Sequence, residues 1–546
     1  MADDQRKDRR VRRYRVMWDQ NAGQEMYYHP PISAERIAQA HFGFFQGRPV
    51  DAYVGAMGSN AGFTVGWPTE VKGAEFIVDR MQRGARVGDV KLWRAAEHLR
   101  LAFEAGIDPE EVKVREAKRI GVDFWFRLAM NDWHHWGVDA DDSNLWSGEF
   151  FAEHPEYLIG EDGAAGWPDR LWNVLRFFQD YAHQDVRDVR RDLAFESCER
   201  YDLDGFLCDY MRCPGYFKRG REQAGMPLMT DMMRQMRIGI DRIGEARGRP
   251  IGFAARVPNT VAGSERLGLD VRTWVREGLV DILVPSCFFG QDMEEDVGEW
   301  VELADSTDTQ IYPAIEEGYL AGDSDDKRWF VQTPLMTGMT NEMTRAIAAR
   351  HLARGVPGLY VFNYFGTAPT YNYDNRDVLD DVGSPMRLEF KDKTYVVMRS
   401  HDSFPNCLET KHQIPAVLGP DPLPIAIEVA DDAQGKADRL STCRLRVHLT
   451  NMTGYDEVEV ALNGELLECD TPMRAGAYYL RWVGRDWFEY DLSGHLPRRG
   501  SNEVTLRMAK RNERLADEFD ITVEDIELSI RYEYPDGIWP DSPRPA

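Results

Sequence analysis

Between Tyr14 and Gly366, eight apolar runs of strand length alternate with amphipathic stretches of helical length. The runs are YRVMW (14–18), VDAYVGAMG (50–58), VDFWFRLAM (122–130), DGFLCDY (204–210), IGFAARV (251–257), VDILVPS (280–286), QIYPAI (310–315) and GLYVFNYF (358–365). Segments such as LRFFQDYAHQDVRDVRRDLAFESCERY and MTDMMRQMRIGIDRIGEARG place apolar residues three and four apart, the helical spacing. Strands that alternate with helices must pair in parallel through right-handed crossovers, and eight such units close into a barrel. The alternative, an open doubly wound sheet, calls for a glycine-rich phosphate loop after the first strand, and WDQNAGQ is not one. We therefore expect an α/β protein whose first domain, residues 1–385, is a (β/α)8 TIM barrel.

The texture changes after Gly366. From about Leu388 the chain reads as short strands separated by turn residues. In VEVALNGELLEC, Asn463-Gly464 divides two alternating runs, a strong local signal for a two-residue hairpin. Residues 386–546 are expected to form an antiparallel β-sandwich, and LPRRGSNEVTLRM is similar to the edge of galactose-binding-like jelly rolls. A chain of 546 residues exceeds what a single core supports, so two domains fit its length.

Charge and cysteine usage narrow the function classes. The net charge is -26, from 92 acidic and 66 basic residues, whereas a nucleic-acid binder needs a basic face. The basic run RKDRRVRRYR leads into the first strand and reads as a solvated leader. The chain opens without an apolar secretion signal and contains no apolar stretch of membrane-spanning length, so neither a membrane nor a nucleic acid is an expected partner. Seven scattered cysteines, none in a CxxC pair, suggest reduced thiols and a cytoplasmic location.

The candidate chemistry lies at strand ends, where a barrel builds its sites. Asp209 ends the fourth strand, with Arg212 three residues on; a guanidinium beside a carboxylate keeps it ionised. The plain alternative is a structural ion pair across the rim. Glu316 and Glu317 end the seventh strand, and because successive side chains point opposite ways only one of them can face the axis; Glu316 is preferred. Glycosidic cleavage needs two such carboxyls, one that gives a proton and one that attacks or deprotonates water. At the end of the third strand, Asn131, Asp132, His134 and His135 sit beside Trp133 and Trp136. Polar groups among indoles suit a sugar, though a structural loop would read the same way. Adjacent histidines do not make a metal pair, and DADDSN (139–144) reads as a solvated turn sooner than a calcium loop, so no metal or cofactor is expected. Arg127, Arg212 and Asn363, with Asn21 and Asn259, could bind sugar hydroxyls or orient the acids, or serve as rim contacts.

The blocks RLAMNDWHH, FFAEHPEYLIG, DVRDVRRDLAFESCERYDLDGFLCDYMRCPGYF and GLYVFNYFG resemble the successive signatures of the bacterial family-10-like glycosyl hydrolases, over roughly residues 10 to 385. The resemblance implies an eight-stranded carbohydrate-active barrel. It puts Asp209 in the position of the acid in that family's DGxxxDxxR block, and Asn131, Asp132 and His134 in its NDxH block. Cys208 and Cys213 are the departures, both small and apolar. The expected function is hydrolysis of a glycosidic bond in an oligosaccharide or glycoside, exo-acting, with Asp209 and Glu316 as the carboxyl pair and Glu316 as proton donor. Three rivals remain: Asp132, or the acetamido group of an N-acetylated amino-sugar substrate, as the partner of Asp209; a binding barrel without catalysis; and a scaffold whose sandwich mediates homo-oligomer formation.

Overall fold

A computed structural model describes residues 11–20, 30–43, 47–56, 63–87, 90–131, 145–165, 175–287, 291–316, 318–320, 336–362, 378–398, 412–469, 471–475, 485–516 and 518–533. The barrel strands are β1 (Val16–Gln20), β2 (Ala52–Ala56), β3 (Asp123–Ala129), β4 (Gly205–Asp209), β5 (Gly252–Pro258), β6 (Ile282–Ser286), β7 in two segments (Gln310–Ile311 and Ala314–Glu316) and β8 (Leu359–Phe362). All pair in parallel, each with its successor, and β8 returns to β1. The ring closes through β7. Its first segment pairs with β6 and its second with β8. The seventh run, expected as one strand, is broken at Tyr312-Pro313 because proline has no N–H for the ladder. Tyr312 N–H still reaches Leu283 O on β6, while Pro313 O accepts from Tyr360 N–H on β8.

Period-two alternation divides the strand residues into two cores. Phe124, Phe126 and Leu128 of β3, and Phe206 and Cys208 of β4, face the helices in the larger cluster. Met17, Val54, Trp125, Leu207, Ala254, Val284, Ala314 and Tyr360 fill the barrel. Trp125 takes so much of that space that a Cβ on Gly205 would lie 2.3 Å from its ring, so β4 opens on glycine. The basic leader is not purely solvated. Val11 and Tyr14 close the amino-terminal end of the barrel, with Gln310 Nε2 donating to Val11 O at 3.3 Å and Arg12 and Arg15 paired to Asp123 and Asp51.

The helix before β4 spans Gln184–Arg200, nine residues shorter at its start than the periodic stretch. Asp180 accepts from Ala182 N–H in a turn there, and Gln179 turns its side chain to Arg190, so residues 175–183 are drawn into local side-chain bonds. The helix after β4 is longer than expected, Glu222–Arg247, and stops at Gly248 in the left-handed region. Among the described residues no helix is long and apolar enough to cross a membrane.

The carboxyl-terminal part forms two antiparallel sheets around a second hydrophobic cluster. One contains β9 (Lys393–Met398), β11 (Leu440–Thr450), β13 (Arg485–Asp491) and β15 (Thr522–Tyr532), and the other β10 (Leu423–Val429), β12 (Glu457–Leu462) and β14 (Gly500–Lys510). Asn463 and Gly464 both have positive φ, 53° and 88°, and turn β12 back onto Glu465–Leu466. The helix Asn341–Ala353 links the two parts: its Ala346 joins the second cluster, and Arg531 pairs with its Glu342 at 3.0 Å.

Candidate active site

The alternation that fills the barrel with apolar side chains ends, at the carboxyl ends of the strands, in a charged layer. Two residues beyond Met17, Trp125, Leu207, Ala254 and Ala314 come Asp19, Arg127, Asp209, Arg256 and Glu316, each on the same face of its strand as the apolar residue before it. All five are at most 5% exposed. Ala56 on β2, Ser286 on β6 and Phe362 on β8 complete the layer. Charges this deep persist only where they compensate one another.

The compensation runs round the ring. Arg127 Nε lies 2.8 Å from Asp19 Oδ2, and its Nη1 donates to Asp209 Oδ2 at 2.6 Å. Arg256, level with Asp209 in the register, donates from Nη1 to Asp209 Oδ1 at 3.3 Å and from Nη2 to Glu316 Oε1 at 2.5 Å. Its guanidinium also packs over the Phe362 ring, 3.6 Å from the centroid. One planar cation therefore spans two carboxyls, and the width of a guanidinium puts their oxygens within about 8 Å of each other.

The two acids experience opposite environments. Burial pushes the Asp209 carboxyl up, but Arg256, Arg127 and the Met211 N–H outweigh it and hold it below the ordinary carboxylate value. Asp209 Oδ1 also accepts from Arg212 N–H at 3.0 Å, so that oxygen is filled. Oδ2 has one short bond, from Arg127, and a long 3.5 Å contact to Arg256, which leaves it a lone pair. Glu316 is pushed up to about 7 by burial, which Arg256 and Ser286 only partly offset. Its Oε1 takes both those bonds, while Oε2 has no partner among the described residues and is the oxygen able to carry a proton. Its backbone N–H donates to Gln291 Oε1 at 2.9 Å, and Gln291 Nε2 donates to the buried Glu295 at 3.1 Å.

The charge beside Asp209 comes from elsewhere than the sequence suggests. Arg212 contributes its backbone N–H, and the guanidiniums that face the carboxylate are those of Arg127 and Arg256. Asn131 is fully buried and ties the end of β3 to its surroundings: its Nδ2 donates to Gly215 O at 2.7 Å and its Oδ1 accepts from Gln179 N–H at 3.1 Å. Asn259 lies near Asp292 and Cys287. Glu317, Asp132, Trp133, His134, His135, Trp136, Asn363, Asn21 and residues 139–144 lie outside the described residues. Sequence reasoning missed Asp19, Arg256, Ser286, Gln291 and Tyr360, whose hydroxyl donates to Asp19 Oδ2.

A titration of stability tests the Glu316 environment. An unfolded Glu316 releases its proton near 4.5, while the folded one holds it to about 7. Between those values the folded state binds more protons, so stability falls as pH rises and levels off above the folded value. Glu316→Gln has no such proton. Urea unfolding at pH 5 and pH 8 should show the variant gaining on the wild type by about 3 kcal/mol over that window.

Fold and charged layer together define a closed parallel barrel with one ionised and one protonatable carboxyl on a shared guanidinium at its carboxyl-terminal mouth. No protein-family model matches the chain, and no curated protein does. Among solved structures, the chain is similar to a Paenibacillus cycloisomaltooligosaccharide glucanotransferase (10% identity, TM-score 0.30, covering 95% of this chain and 57% of that one). It is also similar to α-L-fucosidase isoenzyme 2 from Paenibacillus thiaminolyticus (12%, 0.39, 68% and 49%) and to the PgaB (BpsB) glycoside hydrolase domain from Bordetella bronchiseptica (11%, 0.38, 68% and 99%). The chain spans about half the length of the first two. The barrel is established by its own strand pairing, and the substrates in those names belong to those proteins.

Proposed function

We propose that the chain hydrolyses a glycosidic bond in an oligosaccharide, with Glu316 as proton donor and Asp209 as the ionised partner. The observation that carries the reading is the pair of carboxyls on one guanidinium whose proton affinities are driven apart, Asp209 downward and Glu316 to about 7. Such a pair divides the work of glycosidic cleavage. Glu316 Oε2 gives its proton to the leaving oxygen as the bond to the anomeric carbon breaks. Asp209 Oδ2 meets the positive charge that develops on that carbon, by attacking it or by taking a proton from the attacking water. The separation of within about 8 Å admits either geometry.

The resemblance to the family-10-like glycosyl hydrolases belongs to the same proposal and rests on the block that carries Asp209. So do the exo-acting mode and the cytoplasmic location. The test is a panel of aryl glycosides assayed for turnover, alongside calorimetry with the corresponding sugars. At least one glycoside should be hydrolysed. Sugar binding with no turnover across the panel would instead favour a barrel that binds carbohydrate without cleaving it.

A further inference from the structure

Among the described residues the charged layer contains three carboxyls and two guanidiniums. Fully ionised it would hold an uncompensated negative charge at residues at most 5% exposed, and one retained proton makes it neutral. Asp209 is not the holder, since two guanidiniums and two backbone N–H groups converge on it. That leaves the two ends of the ladder. We infer that Asp19 and Glu316 hold one proton between them, so that Asp19 is a positioning residue that governs when Glu316 is an acid.

The closed barrel makes this possible. Along the ladder, Asp19 and Glu316 are separated by Arg127, Asp209 and Arg256. Round the other side of the ring they are nearly adjacent: Asp19 is in register with Phe362, and Phe362 with Glu316. Two strand spacings put them about 10 Å apart. The intervening position is Phe362, with the Arg256 guanidinium 3.6 Å from its ring centroid, and across that distance each negative charge raises the other's pKa by up to about one unit. Asp19 has the features of a proton holder. It is fully buried, and its Oδ1 has no hydrogen-bond partner among the described residues, so an ionised oxygen there is costly. Burial pushes Asp19 up to about 6 and Glu316 to about 7, and two acids of such similar affinity titrate as a pair once they interact across the ring.

The groups that bear on the pair come from every neighbouring element. Asp19 meets Tyr360 of β8, Arg127 of β3 and, further off, Asp209 of β4 and Arg256 of β5. Glu316 meets Arg256, Asp209 and Ser286 of β6, with Gln291 on its backbone and Glu295 and Cys287 behind it. Among these described groups none is a third compensating cation.

The consequence for hydrolysis rests on the proposed role of Glu316, whereas the shared proton does not. The experiment is a carbon-13 titration of the wild-type carboxyls, with Asp19→Asn and Glu316→Gln used to assign the signals. In the wild type both carboxyl carbons should follow the same two steps. In Asp19→Asn, Glu316 should titrate in one step about one pH unit lower, a tenfold fall in its protonated fraction at fixed alkaline pH, and the alkaline limb of hydrolysis should move with it. A single midpoint for each wild-type carboxyl, or an unmoved Glu316 midpoint in a folded Asp19→Asn, overturns the inference. If Asp19→Asn does not fold, the wild-type titration decides alone. Two shared steps in a protein that hydrolyses no glycoside would uphold the shared proton and end the glycosidase reading.

Discussion

Asp209→Asn should slow hydrolysis by about a thousandfold or more while sugar binding, followed by calorimetry, persists. The amide can keep one oxygen on the Met211 and Arg212 N–H groups, so the turn after β4 survives. Its NH2 then faces Arg127 where Oδ2 accepted a 2.6 Å bond, and the lone pair assigned to the reacting carbon is gone. A stability loss of about 1–3 kcal/mol accompanies this, because two buried guanidiniums have lost a charged acceptor. Circular dichroism and a melting curve separate that cost from the chemical one. Undiminished turnover in a folded Asp209→Asn protein would remove Asp209 from the mechanism and the proposed function with it.

Arg256→Met should be the most destabilising change in the layer, by about 3–5 kcal/mol at neutral pH. The methionine fills much of the volume over Phe362, yet both Asp209 and Glu316 lose their common cation. Both carboxyls are then driven upward, so Asp209 no longer stays ionised against a protonated Glu316 and hydrolysis collapses. Because Glu316 is neutral at low pH, the stability deficit should be smaller at pH 5 than at pH 8 in urea unfolding. Arg256→Lys should be poorly tolerated too, since one ammonium cannot bridge two carboxyls as the two nitrogens of a guanidinium do. An equal deficit at both pH values would contradict the protonation assigned to Glu316.

The barrel was legible because its signal is repetitive: eight apolar runs spaced by helices leave few topologies open. The hairpin at Asn463-Gly464 was legible for a local reason, since consecutive positive φ angles favour those residue types. The two candidate acids could be read from position, at the carboxyl ends of their strands. Their partners could not. Arg256 lies inside IGFAARV, a run that reads as apolar, and its nearness to Asp209 is a matter of register between β4 and β5 rather than of sequence distance. Arg212, three residues from Asp209, is the nearer cation in sequence, yet what it gives that carboxylate is its backbone N–H. Asp19 escapes the sequence pattern because the apolar run YRVMW ends at Trp18, whereas β1 runs to Gln20. The spacing Met17, Asp19 carries the same two-residue step as Leu207, Asp209, and would have revealed it.

The break in β7 separates support of Glu316 from support of the wall. The segment carrying Glu316 borrows its neighbour on one side only, β8, and on the other its N–H is satisfied by Gln291, a side chain from the connection after β6. Substitutions within that connection can thus retune the height and acidity of Glu316 while the ladder of the other seven strands stays untouched.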